Sequence, residues 1–112
     1  MTARYPKASY KPGKMNKTEE AFSKVLDNWL AAGMITRWDF EPEKFRLADN
    51  TFYTPDFRVI MDDMRVIFYE VKGFWRDDAR VKIKVCADLH PYPFRSVKMI
   101  KGRYEIEKIG IL

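Results

Sequence analysis

The sequence is poor in the residues that small proteins use as staples. Its 112 residues hold one cysteine, Cys86, and one histidine, His90. A lone cysteine excludes an internal disulfide framework and any zinc site of the paired-cysteine type. A lone histidine argues against His-rich metal sites and two-histidine catalysis. No apolar run approaches the ~18 residues that a membrane span requires, and no signal-peptide pattern opens the chain. Internal repeats and low-complexity segments are also missing. What is present is enough chain for one domain. Its 46% hydrophobic and 15% aromatic content suffices for a packed core without staples.

Acidic residues are missing from one place in particular. Residues 1–17 contain Arg4, Lys7, Lys11, Lys14 and Lys17 and no Asp or Glu, so they account for the whole net charge of +5. The rest of the chain is balanced in sum and uneven in placement. Residues 39–63 carry seven acidic and three basic groups, whereas residues 72–103 carry three acidic and nine basic ones. A basic tail and a basic second half suit a polyanion partner. A solubilising tail and an ordinary charged helix face would account for the same charges.

Pro6, Pro12 and Gly13 break any regular pattern at the start, so residues 1–14 are expected to form a basic arm and residues 15–112 the folded domain. Phe22, Val25, Leu26, Trp29 and Leu30 recur with helical period, predicting a helix over 17–32 that is capped by Asn16 or Thr18 and stopped at Gly33. Short β-type runs follow at Ile35–Glu41, Lys44–Leu47, Phe52–Met61 and Arg65–Lys72, with turns at 48–50 and 62–63. Residues 76–89 return to helical character with Val81, Val85 and Leu89 on one face, ending at His90-Pro91. Phe94–Ile100 and Arg103–Ile109 are expected to pair across Lys101-Gly102. This order predicts an α/β or α+β domain with helices packed on a mixed sheet.

The chemistry-bearing residues sit on these runs. Glu70 and Lys72 share a strand face. If Phe52–Met61 and Arg65–Lys72 form a hairpin, Asp56 lies beside Glu70. Such hard carboxylate oxygens suit Mg²⁺ or Mn²⁺, which activates a bound water and neutralises phosphate charge, and a neighbouring ammonium offsets charge that develops on phosphorus. On a helical wheel of about 100° per residue centred on Leu26, Glu19 falls about 20° away, inside the apolar stripe, and Glu20 about 120° away, outside it. An inward glutamate is costly without a compensating cation, which makes Glu19 a third candidate.

The pattern Glu19 … Pro55-Asp56 … Glu70-Val71-Lys72, flanked by helices, resembles the PD-(D/E)XK nuclease superfamily. The stretches Asn16-Lys17-Thr18-Glu19, FRLADNTFYTPDF (45–57) and EVKGFWRDDARVKIKV (70–85) resemble a phage and prophage family within it. Phage endonuclease I-type resolvases have a similar arrangement. The resemblance implies a restriction-endonuclease-like αβββαβ core. It implies metal ligation by Asp56, Glu70 and the Val71 carbonyl, with Glu19 binding metal directly or through water, and it makes Lys72 the residue that positions the attacking water. The implied activity is Mg²⁺- or Mn²⁺-dependent hydrolysis of phosphodiester bonds in DNA, double-stranded or branched as in a Holliday junction, during phage replication or recombination. The setting would be the cytoplasm of a host cell, and a homodimer would supply two active sites.

Further contacts to DNA are expected from Lys17 and Arg76, and from Lys82, which flanks the apolar face of the second helix on a wheel centred on Val85. Trp75 is either a packing residue or a base-stacking platform, and Gly73 leaves room for a nucleic-acid backbone. Each residue also has a plainer reading. Asp56 fits a turn, Glu70 and Lys72 a surface salt pair, Glu19 a favourable charge at a helix start, and Lys82 a solvated lysine. Trp29 and Trp38 are expected in the core. Cys86 and His90 read as a buried thiol and a helix-end imidazole. The competing function is a DNA- or replication-protein-binding module on the same fold that does not cut.

Overall fold

The computed structural model describes residues 13–73 and 77–112; the predicted arm falls almost wholly outside them. The described chain is an α+β domain. Helix α1 (Lys17–Ala31) leads into β1 (Ile35–Phe40), β2 (Phe45–Ala48), β3 (Thr51–Tyr53), β4 (Phe57–Met61) and β5 (Val66–Lys72); α2 (Asp77–Leu89), β6 (Phe94–Ile100) and β7 (Arg103–Ile109) follow. Five strands form one mixed sheet in the order β1-β4-β5-β6-β7, and β2-β3 form a separate two-stranded ribbon. Among the described residues only the β5–β6 pairing is parallel. A crossover is required to join parallel neighbours, and α2 is that crossover.

α1 starts on a reciprocal cap. The Asn16 side chain accepts from Glu19 N at 2.8 Å, and Glu19 Oε1 accepts from Asn16 N at 2.9 Å, so two otherwise orphaned amides are satisfied. Its Phe22 and Leu26 are fully buried against Phe57, Val59, Ile67, Tyr69, Val71 and Val97 on one face of the sheet. Trp29 and Trp38 pack at the margin of this cluster, and Trp38 Nε1 donates to Asp27 at 2.9 Å.

The other face is covered by α2 and the ribbon, where Phe45, Tyr53, Phe68, Ile83, Cys86, Phe94 and Ile109 form a second cluster. β5 contributes Ile67, Tyr69 and Val71 to the first cluster and Phe68 to the second. A central strand covered on both sides reads as an unbroken apolar run, and Val66-Ile67-Phe68-Tyr69 is one.

Two expectations need correction. The run Phe52–Met61 is not one strand. β3 ends at Tyr53, Thr54-Pro55-Asp56 cross over, and β4 begins at Phe57; proline, without an amide hydrogen, suits this break. The apolar face of α2 is not Val81-Val85-Leu89, whose relative exposures are 58%, 37% and 55%. The buried face is centred on Ile83 and Cys86, both at 0%. Three aliphatics at i, i+4, i+8 outweighed the shorter Ile-Cys-Ala set on the opposite side in the sequence pattern.

The β6–β7 turn is as expected. Lys101 and Gly102 have φ of 46° and 79°, the positive pair that a two-residue hairpin requires. Gly110, after β7, has φ of 80°, and a Cβ there would stand 2.9 Å from Ala87 Cβ. Gly110→Ala therefore meets a backbone penalty and a clash with α2. Urea unfolding is expected to show a loss of about 1–3 kcal/mol; unchanged stability would mean that β7 docks differently.

Candidate active site

The site lies where the start of α1, the chain entering β4 and the end of β5 meet. β4 and β5 are antiparallel with Phe57 opposite Tyr69, so Asp56 stands one step beyond the ladder, opposite Glu70. The Asp56 side chain completes the pairing. Its Oδ2 accepts from Val71 N at 2.8 Å. In a strand the N–H and C=O of one residue address the same neighbour, so the Val71 carbonyl also faces the Asp56 side.

Asp56 and Glu70 are both buried, at 7% and 6% relative exposure. Lys72 Nζ lies 2.9 Å from Glu70 Oε2, and Tyr53 Oη donates to Glu70 Oε1 at 2.6 Å. Glu19 completes the group. Its carboxyl caps α1 and acts on Asp56, raising the proton affinity of that side chain. The four residues singled out from the sequence are thus brought together, and the pairing that had been conditional on a β-hairpin is formed. Glu20 is exposed, as the helical wheel required.

Proton affinities follow from this crowding. Burial, then the charge of Glu70, raise the Asp56 pKa to about 9; the Val71 amide opposes the shift and Glu19 adds to it. Burial also raises Glu70, against the pull of Lys72 and Tyr53. At Lys72 burial disfavours the ammonium, but Glu70, Asp56 and Glu19 outweigh it and raise the pKa. Tyr53 is held well above its ordinary value by burial and by Glu70. Two desolvated carboxylates beside one ammonium leave an excess of negative charge, and a shared proton fills that deficit.

A divalent cation is the other way to fill it. Asp56, Glu70 and the Val71 carbonyl are hard oxygen donors of the kind Mg²⁺ and Mn²⁺ accept. Among the described residues no three Asp, Glu, His or Cys side chains are already gathered as a cage. Two carboxylates with a carbonyl suit Mg²⁺ better than a closed cage does, because that ion keeps several waters.

Tyr53 was missed in the sequence. Its signal was the alternation of Phe52-Tyr53 just before Pro55-Asp56, together with the rule that a buried tyrosine hydroxyl finds a partner. The rest of the acidic stretch 39–63 has other duties. Asp39 and Glu43 each pair with Arg58 at 3.0 Å, and Asp63 pairs with Arg65 at 2.8 Å.

The outer candidates are scattered. Lys17 is exposed at the first turn of α1. Lys82 is also exposed, and its expected place beside the apolar face fails with the Val85-centred wheel, since the buried face is that of Ile83. Gly73 is exposed and has no atom within 4 Å of an added Cβ. Trp75 and Arg76 lie outside the described residues. Arg80 pairs with Glu107 of β7 at 3.0 Å. Cys86 is buried and burial pushes its thiol up to about 12, which rules it out as a ready nucleophile. His90 Nε2 lies 3.1 Å from the Arg46 carbonyl at the helix end.

No family model, curated protein or solved structure matches the chain. No helix among the described residues is long and apolar enough to cross a membrane.

The site sets a pH dependence with a definite sign. Asp56 binds its proton more tightly folded than unfolded, so its contribution to stability is complete below its ordinary value of 3.8 and is lost as pH rises toward about 9. Asp56→Asn keeps an acceptor for Val71 N and removes the charge. In metal-free buffer the variant is expected to melt higher than the parent at pH 8, with the gap closing toward pH 4. Mg²⁺ is expected to raise the parent's melting temperature and leave the variant's unchanged. A parent whose stability is flat between pH 4 and 9 would show that Asp56 titrates normally.

Proposed function

We propose that this chain is a divalent-metal-dependent DNA endonuclease whose domain has the αβββαβ core of the PD-(D/E)XK superfamily, and that it prefers branched DNA such as a four-way junction in phage replication or recombination. The observation that carries the reading is the convergence of Glu19, Asp56, Glu70 and Lys72 at one end of a sheet. The order of elements supports it. With the β2–β3 ribbon set aside as an insertion, the chain runs α1, β1, β4, β5, α2, β6.

When bound, a divalent cation supplies Lewis-acid activation of water and neutralisation of phosphate charge. Asp56, Glu70 and the Val71 carbonyl are the groups that would hold it, with Glu19 reaching it directly or through water. Tyr53 and Lys72 each occupy one oxygen of Glu70 and so fix the orientation of its carboxylate. Lys72 is half-buried, so its ammonium meets both Glu70 and incoming solvent. It orients the attacking water and offsets negative charge as the new P–O bond forms and the bond to the 3′ oxygen breaks, leaving a 5′-phosphate. Burial of the carboxylates strengthens these interactions, since little bulk water screens them.

Purified protein should be incubated with Mg²⁺ or Mn²⁺ and labelled linear duplex, single-stranded DNA, four-way DNA and RNA. Metal-dependent cleavage is expected, fastest on the four-way substrate. Lys72→Ala is expected to lower the rate by about 10²–10³-fold and Asp56→Asn to abolish it, both with native circular dichroism. No cleavage of any substrate at micromolar protein would refute the reading; DNA affinity indifferent to the metal would then favour the binding module.

Cutting two strands requires two such sites, and a two-fold dimer supplies them. Sedimentation with DNA is expected to show a dimer. A monomer throughout would turn the proposal toward nicking.

A further inference from the structure

The ribbon that supplies Tyr53 has a second face. Its strands are in antiparallel register, with Phe45 opposite Tyr53 and Arg46 opposite Phe52. Phe45 and Tyr53 point inward and are buried. The ring of Phe45 lies 5.1 Å from Phe68 and 5.7 Å from Phe94, centroid to centroid. Alternation then sends Arg46 and Phe52 outward. Phe52 is 41% exposed, and Lys44 Nζ stands 4.8 Å from its ring centroid. Lys44 and Arg46 are both exposed. Neither has an ion-pair partner among the described residues. The outcome is a partly exposed aromatic ring with the Lys44 ammonium over one face and Arg46 at the paired position on the neighbouring strand.

We propose that this outer face is a stacking platform for an unpaired nucleobase, with Lys44 and Arg46 holding the phosphates on either side of it. The proposal rests on the nucleic-acid reading of the neighbouring site and deepens it toward substrates whose bases present an unstacked face, as at an open branch point, a flap or a single strand. An aromatic face accepts any base, and flanking cations track the backbone. A base within a duplex is already stacked and has no face to offer, so the platform selects branch points, flaps and single strands. The ribbon is suited to the task because its inner face is anchored in the core, so little ordering is needed on binding. It is also tied to the chemistry. Phe52 adjoins Tyr53, whose hydroxyl holds Glu70, and it precedes Asp56 by four residues. A nucleotide on Phe52 therefore sets the branch at a fixed offset from the carboxylates while the scissile phosphate lies among them.

The test measures equilibrium binding of the full chain in EDTA, so that it is independent of cleavage. Fluorescent blunt duplex, single strand and a duplex with a single-stranded flap are compared over a range of salt. The parent is expected to prefer the flap and single strand. Phe52→Ala is expected to lose about tenfold on these two and to stay within twofold on blunt duplex. Phe52→Trp is expected to restore affinity and to be quenched by the bound base. Lys44→Ala and Arg46→Ala are each expected to lower the logarithmic salt slope on single strand by about 0.7, whereas Lys108→Ala is expected to leave it unchanged. Equal binding of parent and Phe52→Ala to unpaired substrates, or no binding to any nucleic acid, overturns the proposal; in the first case the face serves a different occupant. Phe52-dependent binding without cleavage leaves the platform standing and removes the nuclease reading. Cleavage with Phe52-independent binding does the reverse.

Discussion

Holding Asp56 and Glu70 side by side out of water is the constraint to which the rest of the molecule answers. Two such groups repel each other and lose their hydration, and each surrounding element offsets part of that cost. β5 offers the Val71 amide to Asp56. The ribbon brings Tyr53 to one oxygen of Glu70, and the next residue on the same strand face, Lys72, brings an ammonium to the other. α1 adds Glu19, which deepens the negative field while anchoring its own helix. Under the proposed nuclease reading, the negative charge left over is what a divalent cation would neutralise before a phosphate could approach.

Much of this was legible in the sequence, and for identifiable reasons. The helical period of Phe22, Val25, Leu26 and Trp29 is long and regular, so α1 and the inward side of Glu19 could be read directly. Glu70 and Lys72 share a face because a strand has period two, and the apolar run before them could hardly be anything but a covered central strand. Asp56 followed once the hairpin was assumed. The less legible parts were those where local pattern and tertiary need disagree. Val81, Val85 and Leu89 look like a core face, yet α2 turns Ile83 and Cys86 toward Phe68 and Phe94, with Ala87 of the same helix packed against that cluster and close to Gly110. The exposed aliphatics are left at the surface, where scattered apolar side chains are ordinary.

Tyr53 shows a different limit. The local alternation marks it as inward-facing but not what it meets; its role exists only because the ribbon folds over the sheet far enough to reach Glu70. The break at Thr54-Pro55 is what allows that. A continuous strand from Phe52 to Met61 would have carried Tyr53 along the sheet instead of across it. Proline thus does two things, ending one pairing and placing Asp56 at the mouth of the next.

The parallel pairing of β5 with β6 also bears on how the molecule is made. The groups of the site all lie between Glu19 and Lys72, joined mainly by antiparallel neighbours, so they can assemble early and locally. Phe68 and Glu70 are covered from the other side only when the chain has passed through α2 and returned, a non-local closure of the kind that forms slowly. The tight proton binding of the finished site therefore depends on a closure between segments distant in sequence, beyond the residues that make up the site.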